Sequence, residues 1–246
     1  MDKKQFPNPP LVEAVCEIRF DSNNPWDAAL PGFLYQKIKS KFPERDTVRE
    51  GYVEFSLNTK GGEKPEIAHS ENELPRFLNS EKNVFVILRK NTLSIHNLKP
   101  YIGWKKFLPI IMSVIKAYNE VTKSSKIKRI GLRYVDKIIF ENKKYIKLSE
   151  YFNFRPQFSE EIAQEEKIVA VQAGIIVNEG SGLVKIRLNN IAEKETDKIF
   201  LLDVDYFKEG DIQQAKIKTW LAKAHEKLEK IFLGSLTEKT IEKFTK

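Results

Sequence analysis

The chain has 246 residues, of which 41% are hydrophobic and 11% aromatic, enough to close a sizeable core and to exclude a disordered linker or tail. Its 42 Lys/Arg against 34 Asp/Glu leave a formal charge of +8, which raises the question of nucleic acid. The excess is not segregated, however: residues 1–123 hold 19 basic and 15 acidic side chains and the remainder hold 23 and 19, so each half carries +4. A dedicated nucleic-acid module concentrates its charge, so solubility is the simpler reading of this one.

The opening Met1–Pro10 lacks the apolar core of a secretion signal, and no apolar run approaches bilayer-spanning length. A cytoplasmic protein without membrane association is therefore expected. Pro7, Pro9 and Pro10 hold an extended lead-in to a strand over Leu11–Phe20. There Val12, Ala14, Cys16, Ile18 and Phe20 form an apolar row opposite Glu13, Glu17 and Arg19. Cys16, the one cysteine, rules out an internal disulfide and reads as a buried, inert thiol. A helix is expected over about 25–42, with Leu30, Phe33, Leu34, Ile38 and Phe42 on one stripe. Tyr52–Leu57 alternates as a strand, and 58–76, with Gly61, Gly62, Pro65 and Pro75, reads as a long irregular insertion. Residues 83–98 read as a hairpin turning at Lys90-Asn91. The helix expected over 104–118 turns Trp104, Phe107, Leu108, Ile111, Ile115 and Tyr118 inward.

The second half opens on the strand 127–140, with Ile130, Leu132, Tyr134, Ile138 and Phe140 on one side and Arg129, Arg133, Val135 and Lys137 on the other. An aromatic patch at Tyr151, Phe152 and Phe154 and a glutamate-rich segment through Glu166 follow. Residues 168–177 and 183–190 read as a hairpin, 199–207 as the next strand, and about 212–232 as a helix burying Ile217, Trp220, Leu221, Ala224, Leu228, Ile231 and Phe232. Gly234 is placed to end that helix with a positive φ, and Thr237 to cap a short last helix with Leu236 and Ile241 as its staple.

Each half, 1–123 and 124–246, thus reads as strand, helix, three-strand meander, long helix. The expected fold is α+β: internally duplicated β-α-β-β-β-α units packed together. Their first strands pair at the centre of one antiparallel sheet, with helices on one face. The duplicated saddle of the TATA-binding protein and tandem helix-grip domains are the nearest architectures, as analogies of fold that license no function.

The sheet side left uncovered by helices takes whatever alternates with the core: Glu13, Glu17, Arg19, Glu54, Arg89, Arg129, Arg133, Lys137, Lys185, Arg187, Asp203 and Asp205. Two readings stand side by side. Opposite charges on neighbouring strands can neutralise one another as a cross-strand lattice, or the face can bind a partner. Its mixed sign favours a protein or peptide over DNA, since each phosphate contact needs an uncompensated cation. Arg133, mid-strand, is expected to pair with Glu17 or Glu13, or else to await an acidic group on a partner. His69, His96 and His225, placed in a loop, a strand and a helix, have no ligand spacing, so no metal or other cofactor is expected. Asp203 and Asp205 are expected to be ion-paired beside Lys185 and Arg187. Gly61-Gly62 and Gly180-Ser181-Gly182 do not stand between a strand and a helix start, and no nucleophile elbow is present, so no catalytic residue is assigned. The stretch 123–147, nine basic residues against Asp136 and Glu141, is the best nucleic-acid candidate.

Residues 8–20, NPPLVEAVCEIRF, together with RIGLRY at 129–134, resemble signatures of a sporadically distributed, uncharacterised bacterial protein family of about this length. Asp136 stands where that family's pattern has asparagine. LKPYIGW at 98–104, LDVD at 202–205 and AHEKLEKIFLGSLT at 224–237 extend the resemblance from end to end. It implies no activity. Patchy distribution resembles that of accessory genes of mobile elements, phage defence or toxin–antitoxin cassettes, which fits a protein that binds a partner. The expectation is a non-catalytic interaction protein working through the polar sheet face, with a basic nucleic-acid-binding protein as the alternative and an enzyme third.

Overall fold

The computed structural model describes residues 6–21, 27–56, 66–122, 126–143, 145–157, 170–177, 182–191 and 197–245, with the backbone alone for 50–56, 66–72 and 177. The described strands are β1 (Leu11–Phe20), β2 (Glu44–Ser56), β3 (Glu66–Leu78), β4 (Val84–Arg89), β5 (Thr92–Leu98), β6 (Ile127–Phe140), β7 (Ala170–Val177), β8 (Gly182–Ile191) and β9 (Lys198–Ile212). They form one antiparallel sheet in the order β2-β3-β4-β5-β1-β6-β9-β8-β7. The helices are α1 (Leu30–Ile38), α2 (Trp104–Thr122), α3 (Ile217–Ser235) and α4 (Glu238–Ile241), which makes the fold α+β. No helix among the described residues is long and apolar enough to cross a membrane.

β1 and β6 pair side by side inside the sheet, with Cys16 opposite Leu132 and Ala14 opposite Tyr134. Their apolar rows, with those of β4, β5, β8 and β9, close one core beneath α1, α2 and α3. The two long helices bury residues at the same spacing. In α2 these include Phe107, Ile111, Val114, Ile115 and Tyr118, and in α3 Ile217, Leu221, Ala224, His225 and Leu228. Both sets recur at i, i+4, i+7, i+8 and i+11, the stripe that faces a core. A histidine therefore occupies an apolar position in α3. Cys16 is fully buried, and burial pushes its thiol pKa up, so it stays protonated and inert.

The hairpin β4–β5 turns where expected, with Asn91 at φ 60° in the left-handed region that asparagine tolerates. Several expectations are corrected. α1 is shorter than 25–42 and β2 longer than 52–57. Most of the segment read as an irregular insertion is the strand β3, and His69 falls in it, while 57–65 lie outside the described residues. Pro75 is tolerated because β3 meets β4 only over Arg76–Leu78, so no second neighbour needs its missing N–H. The first half accordingly carries a four-strand meander, not three. In the second half no α-helix separates β6 from β7 among the described residues, where a 3₁₀ turn, Leu148–Glu150, follows β6. The glutamate-rich 158–169 and the turn 178–181 lie outside the described residues.

Gly234 does not end α3. The helix runs on through Ser235 and its last carbonyls are capped from the aromatic patch. The Asn153 side chain donates to Gly234 O (3.2 Å) and Leu236 O (2.7 Å), and its backbone N–H donates to Ser235 O (2.9 Å). Side-chain capping thereby replaces the glycine turn. Thr237 precedes α4 as expected, but its hydroxyl donates to Glu150 O (2.7 Å). Trp104 and Trp220 are half-buried, not buried, each covering a ring: Trp104 stacks on His225 and Trp220 on Tyr206.

Candidate binding face

On the helix-free side, alternation along β5, β1, β6, β9 and β8 assembles the charged residues into linked clusters. Glu17 Oε1 accepts from Arg19 Nε (2.8 Å) and from Arg129 Nη1 (2.8 Å). Arg129 Nη2 donates to Asp205 Oδ2 (2.7 Å), and its guanidinium lies 4.2 Å from the Phe207 ring centroid. Held by two carboxylates and an aromatic face, Arg129 is buried on a side of the sheet that none of the described helices covers. Gly131 makes this possible. A Cβ there would stand 2.9 Å from Arg129 Nη1 and 3.2 Å from Asp205 Oδ1, so a side chain would displace the arginine.

Arg133 forms the second cluster. Its Nε and Nη2 donate to Asp203 Oδ1 (2.7 Å) and Oδ2 (2.9 Å), a two-pronged pairing, and Arg187 Nη1 donates to the same Oδ2 (2.9 Å). Arg187 Nε is taken by Gln172 Oε1 (2.7 Å). The expected partner, Glu17 or Glu13, is therefore corrected to Asp203. The register explains why: β1 offers Val15 opposite Arg133, whereas β9 offers Asp205 opposite and Asp203 two residues on. Glu17 is already committed to Arg19 and Arg129.

The third cluster links Glu13 to Arg89. Glu13 Oε1 and His96 Nδ1 are 2.8 Å apart, His96 Nε2 and Ser94 Oγ 2.9 Å, and Arg89 Nη1 donates to Ser94 Oγ (3.2 Å). The His96 hydrogen bond holds the Glu13 carboxyl below its usual range, against the opposing effect of burial. Asp205 moves the other way, since burial outweighs the nearby arginine charges. Of the expected site residues, Arg129 and Asp203 are buried and Arg19 is exposed. Glu13, Glu17, Arg89, Arg133, Lys137, Lys185, Arg187 and Asp205 are half-buried. Lys185 stands across from Asp205 in register, and the Glu54 side chain lies outside the described residues.

A second group of polar side chains lies on the helix side of β6, where sequence reasoning placed none. Tyr134 OH and His225 Nδ1 share a hydrogen bond of 2.8 Å, and His225 Nε2 is 3.3 Å from Glu229 Oε1. Trp104 stacks on the imidazole with centroids 4.5 Å apart. The Tyr101 hydroxyl is buried beside Tyr134, and burial pushes its pKa up to about 12. Asp136, two residues along from Tyr134 on the same side, is buried, and desolvation pushes its carboxyl up to about 8. Tyr101 and Trp104 come from 98–104, Tyr134 from 129–134 and His225 from 224–237. The signal was a histidine on the apolar stripe of α3 and an aspartate on the apolar row of β6.

No known protein family matches the chain, and no curated protein sequence matches it. Among the described residues, no group of three or more His, Cys, Asp or Glu side chains is arranged to hold a metal ion.

Proposed function

We propose that this chain is a non-catalytic interaction protein that takes an acidic protein surface on its helix-free sheet face. One observation carries the reading. Arg133 is oriented by its two-pronged pairing with Asp203, yet 42% of its side chain remains exposed near the centre of the face. A guanidinium has five N–H donors in a fixed fork, so this arrangement leaves pre-oriented donors for a carboxylate brought by a partner. Around it, the eleven described charged residues comprise seven cations and four carboxylates, an excess that favours a negative partner. Carboxylates committed to guanidinium groups suit a rigid recognition surface better than proton transfer.

The alternative, a nucleic-acid-binding protein, is favoured by the net charge of +8 and the nine basic residues of 123–147. The proposal also takes the chain as two similar halves, 1–123 and 124–246. The strand order outward from β1 and β6 and the matched buried spacings of α2 and α3 support that division. The test is fluorescence anisotropy with labelled polyglutamate and with a short duplex DNA across a salt series. Polyglutamate should bind with modest salt dependence, and Arg19→Glu combined with Lys185→Glu should weaken it about tenfold. Tighter binding to DNA, falling steeply with salt, would decide for the alternative.

A further inference from the structure

Among the described strands the sheet has two outer edges, and only one of them is guarded. β2 carries Glu44, Arg45, Asp46 and Arg49, the kind of charged edge that discourages pairing with another chain. β7, AVQAGIIV, has no charged residue, no proline and no bulge. It pairs with β8 on one side, from Ala170 with Asn189 to Val177 with Gly182, and no described strand pairs with it on the other. Ala170, Gln172, Gly174, Ile175 and Ile176 are all exposed.

Two features of this edge point to a further strand. Ile175, on the helix side opposite Val184, is 52% exposed, and Ile176, on the helix-free side opposite Leu183, is 80% exposed. An edge that shows aliphatic residues on both sides of the sheet leaves apolar area in water that one more strand would cover. The second feature is Gly174. Its backbone lies outside the left-handed region, and a Cβ added there would meet nothing within 4 Å. A single copy of the fold therefore does not require glycine at this position, and a glycine within a strand often marks the close approach of another backbone.

We infer that β7 is the pairing edge of a homodimer, in which it lies antiparallel to the β7 of a second copy. The strand fits its own copy. In the register centred on Gly174, that residue stands opposite itself, Ala173 stands opposite Ile175 and Gln172 opposite Ile176, each pair occurring twice. On the helix side a small residue thus faces a large one, on the other side the glycines leave room at the axis, and no like charges meet within the strand pair. A two-fold axis perpendicular to the sheet at Gly174 makes the contact isologous and closed, and joins the sheets of the two copies into one. This self-match selects a second copy over an unrelated strand. The pairing uses the sheet edge, not the charged face, and does not depend on how that face is read.

Light scattering coupled to size exclusion tests this on the full chain. At about 50 μM protein the mass should be twice that of one chain, and the dimer affinity should change by less than about threefold between about 50 mM and about 500 mM salt, since no ion pair crosses the strand pair. Ile175→Lys combined with Ile176→Lys should weaken association by about tenfold or more while the circular dichroism spectrum stays that of the wild type. The register is read by single cysteines under mild oxidation. Gly174→Cys should give a disulfide between copies, because its two thiols face each other. Gln172→Cys should not, because its two copies stand about 13 Å apart along the strands at ~3.4 Å per residue. Cys16 is fully buried and does not compete. A wild type that is monomeric at this concentration overturns the inference and leaves the reading of the charged face untouched. A folded lysine variant that dimerises like the wild type, or a Gln172→Cys variant that crosslinks as readily as Gly174→Cys, overturns it too. Should the lysine variant fail to fold, the cysteine pair decides.

Discussion

Asp136 offers the sharpest test of how burial sets the behaviour of this fold. Its carboxyl lies between Tyr134 and Ile138 on the apolar row of β6, and desolvation raises its pKa from 3.8 to about 8. In the unfolded chain the same group ionises near ~3.9. Between about pH 4 and pH 8 the unfolded state therefore gives up a proton that the folded state keeps. Stability from this site is full below that window, falls as pH rises through it, and levels off above the folded pKa. With each pKa unit equivalent to about 1.4 kcal/mol, about three units at pH 7 amount to roughly 4 kcal/mol lost. Asp136→Asn keeps the shape and removes the titration. It should gain about 4 kcal/mol over the wild type at pH 7 and nothing near pH 4. For a chain of this length, unfolding at about 2.1 cal/mol/K per residue converts the gain to roughly 8 °C in Tm. Differential scanning calorimetry of both proteins at pH 4, 6 and 8 measures it. An offset constant across pH, or a variant less stable at pH 8, would refute the desolvation argument.

Four further outcomes follow from the same geometry. Gly131→Ala should destabilise by about 1–3 kcal/mol, because the added methyl displaces Arg129 from Glu17 and Asp205, and urea melts measure the loss. Arg133→Ala and Asp203→Ala should be non-additive, with a coupling of about 1 kcal/mol in a double-mutant cycle. Strict additivity would remove the pairing. Tyr134→Phe should cost about 1–2 kcal/mol by removing the buried hydrogen bond to His225 Nδ1, and should change the emission of Trp104 stacked on that ring. Leu221→Ala should cost about 2–5 kcal/mol in chemical denaturation, since the side chain is fully buried on α3.

How much of this was legible in the sequence depended on whether a residue row faced one environment. β6 was readable to its ends, since every second residue from Ile130 to Phe140 except Asp136 is apolar and packs on helices. β3 was not, because Pro75 within it and Gly61, Gly62 and Pro65 ahead of it read as loop punctuation. The charged face was legible as a list but not as pairs. Alternation says which side a residue takes, whereas the partner of Arg133 depends on which strand lies on its other flank. That neighbour, β9, is some 70 residues away in sequence. Asp136 and His225 were hidden for the opposite reason. A single polar residue within an apolar period is read through, although it is the position where burial has the largest chemical effect.

Both networks hang on β6, and this bears on how firmly the proposed binding face is held. Arg129, Gly131 and Arg133 point to the lattice, while Tyr134 and Asp136, one residue out of phase, point to the helices. A one-residue slip of β6 against β1 and β9 would exchange the two rows. It would put both guanidinium groups under α2 and α3, at several kcal/mol for each unpaired ion, and would turn Ile130, Leu132 and Ile138 to solvent. No compensating register exists, since the carboxylates of β1 and β9 sit on one row only. Arg133 is therefore positioned by the core on the far side of its own strand as much as by Asp203. On the proposed reading, a partner would meet an arginine whose orientation is fixed before contact, and the ordering cost at that position would fall on folding and not on binding.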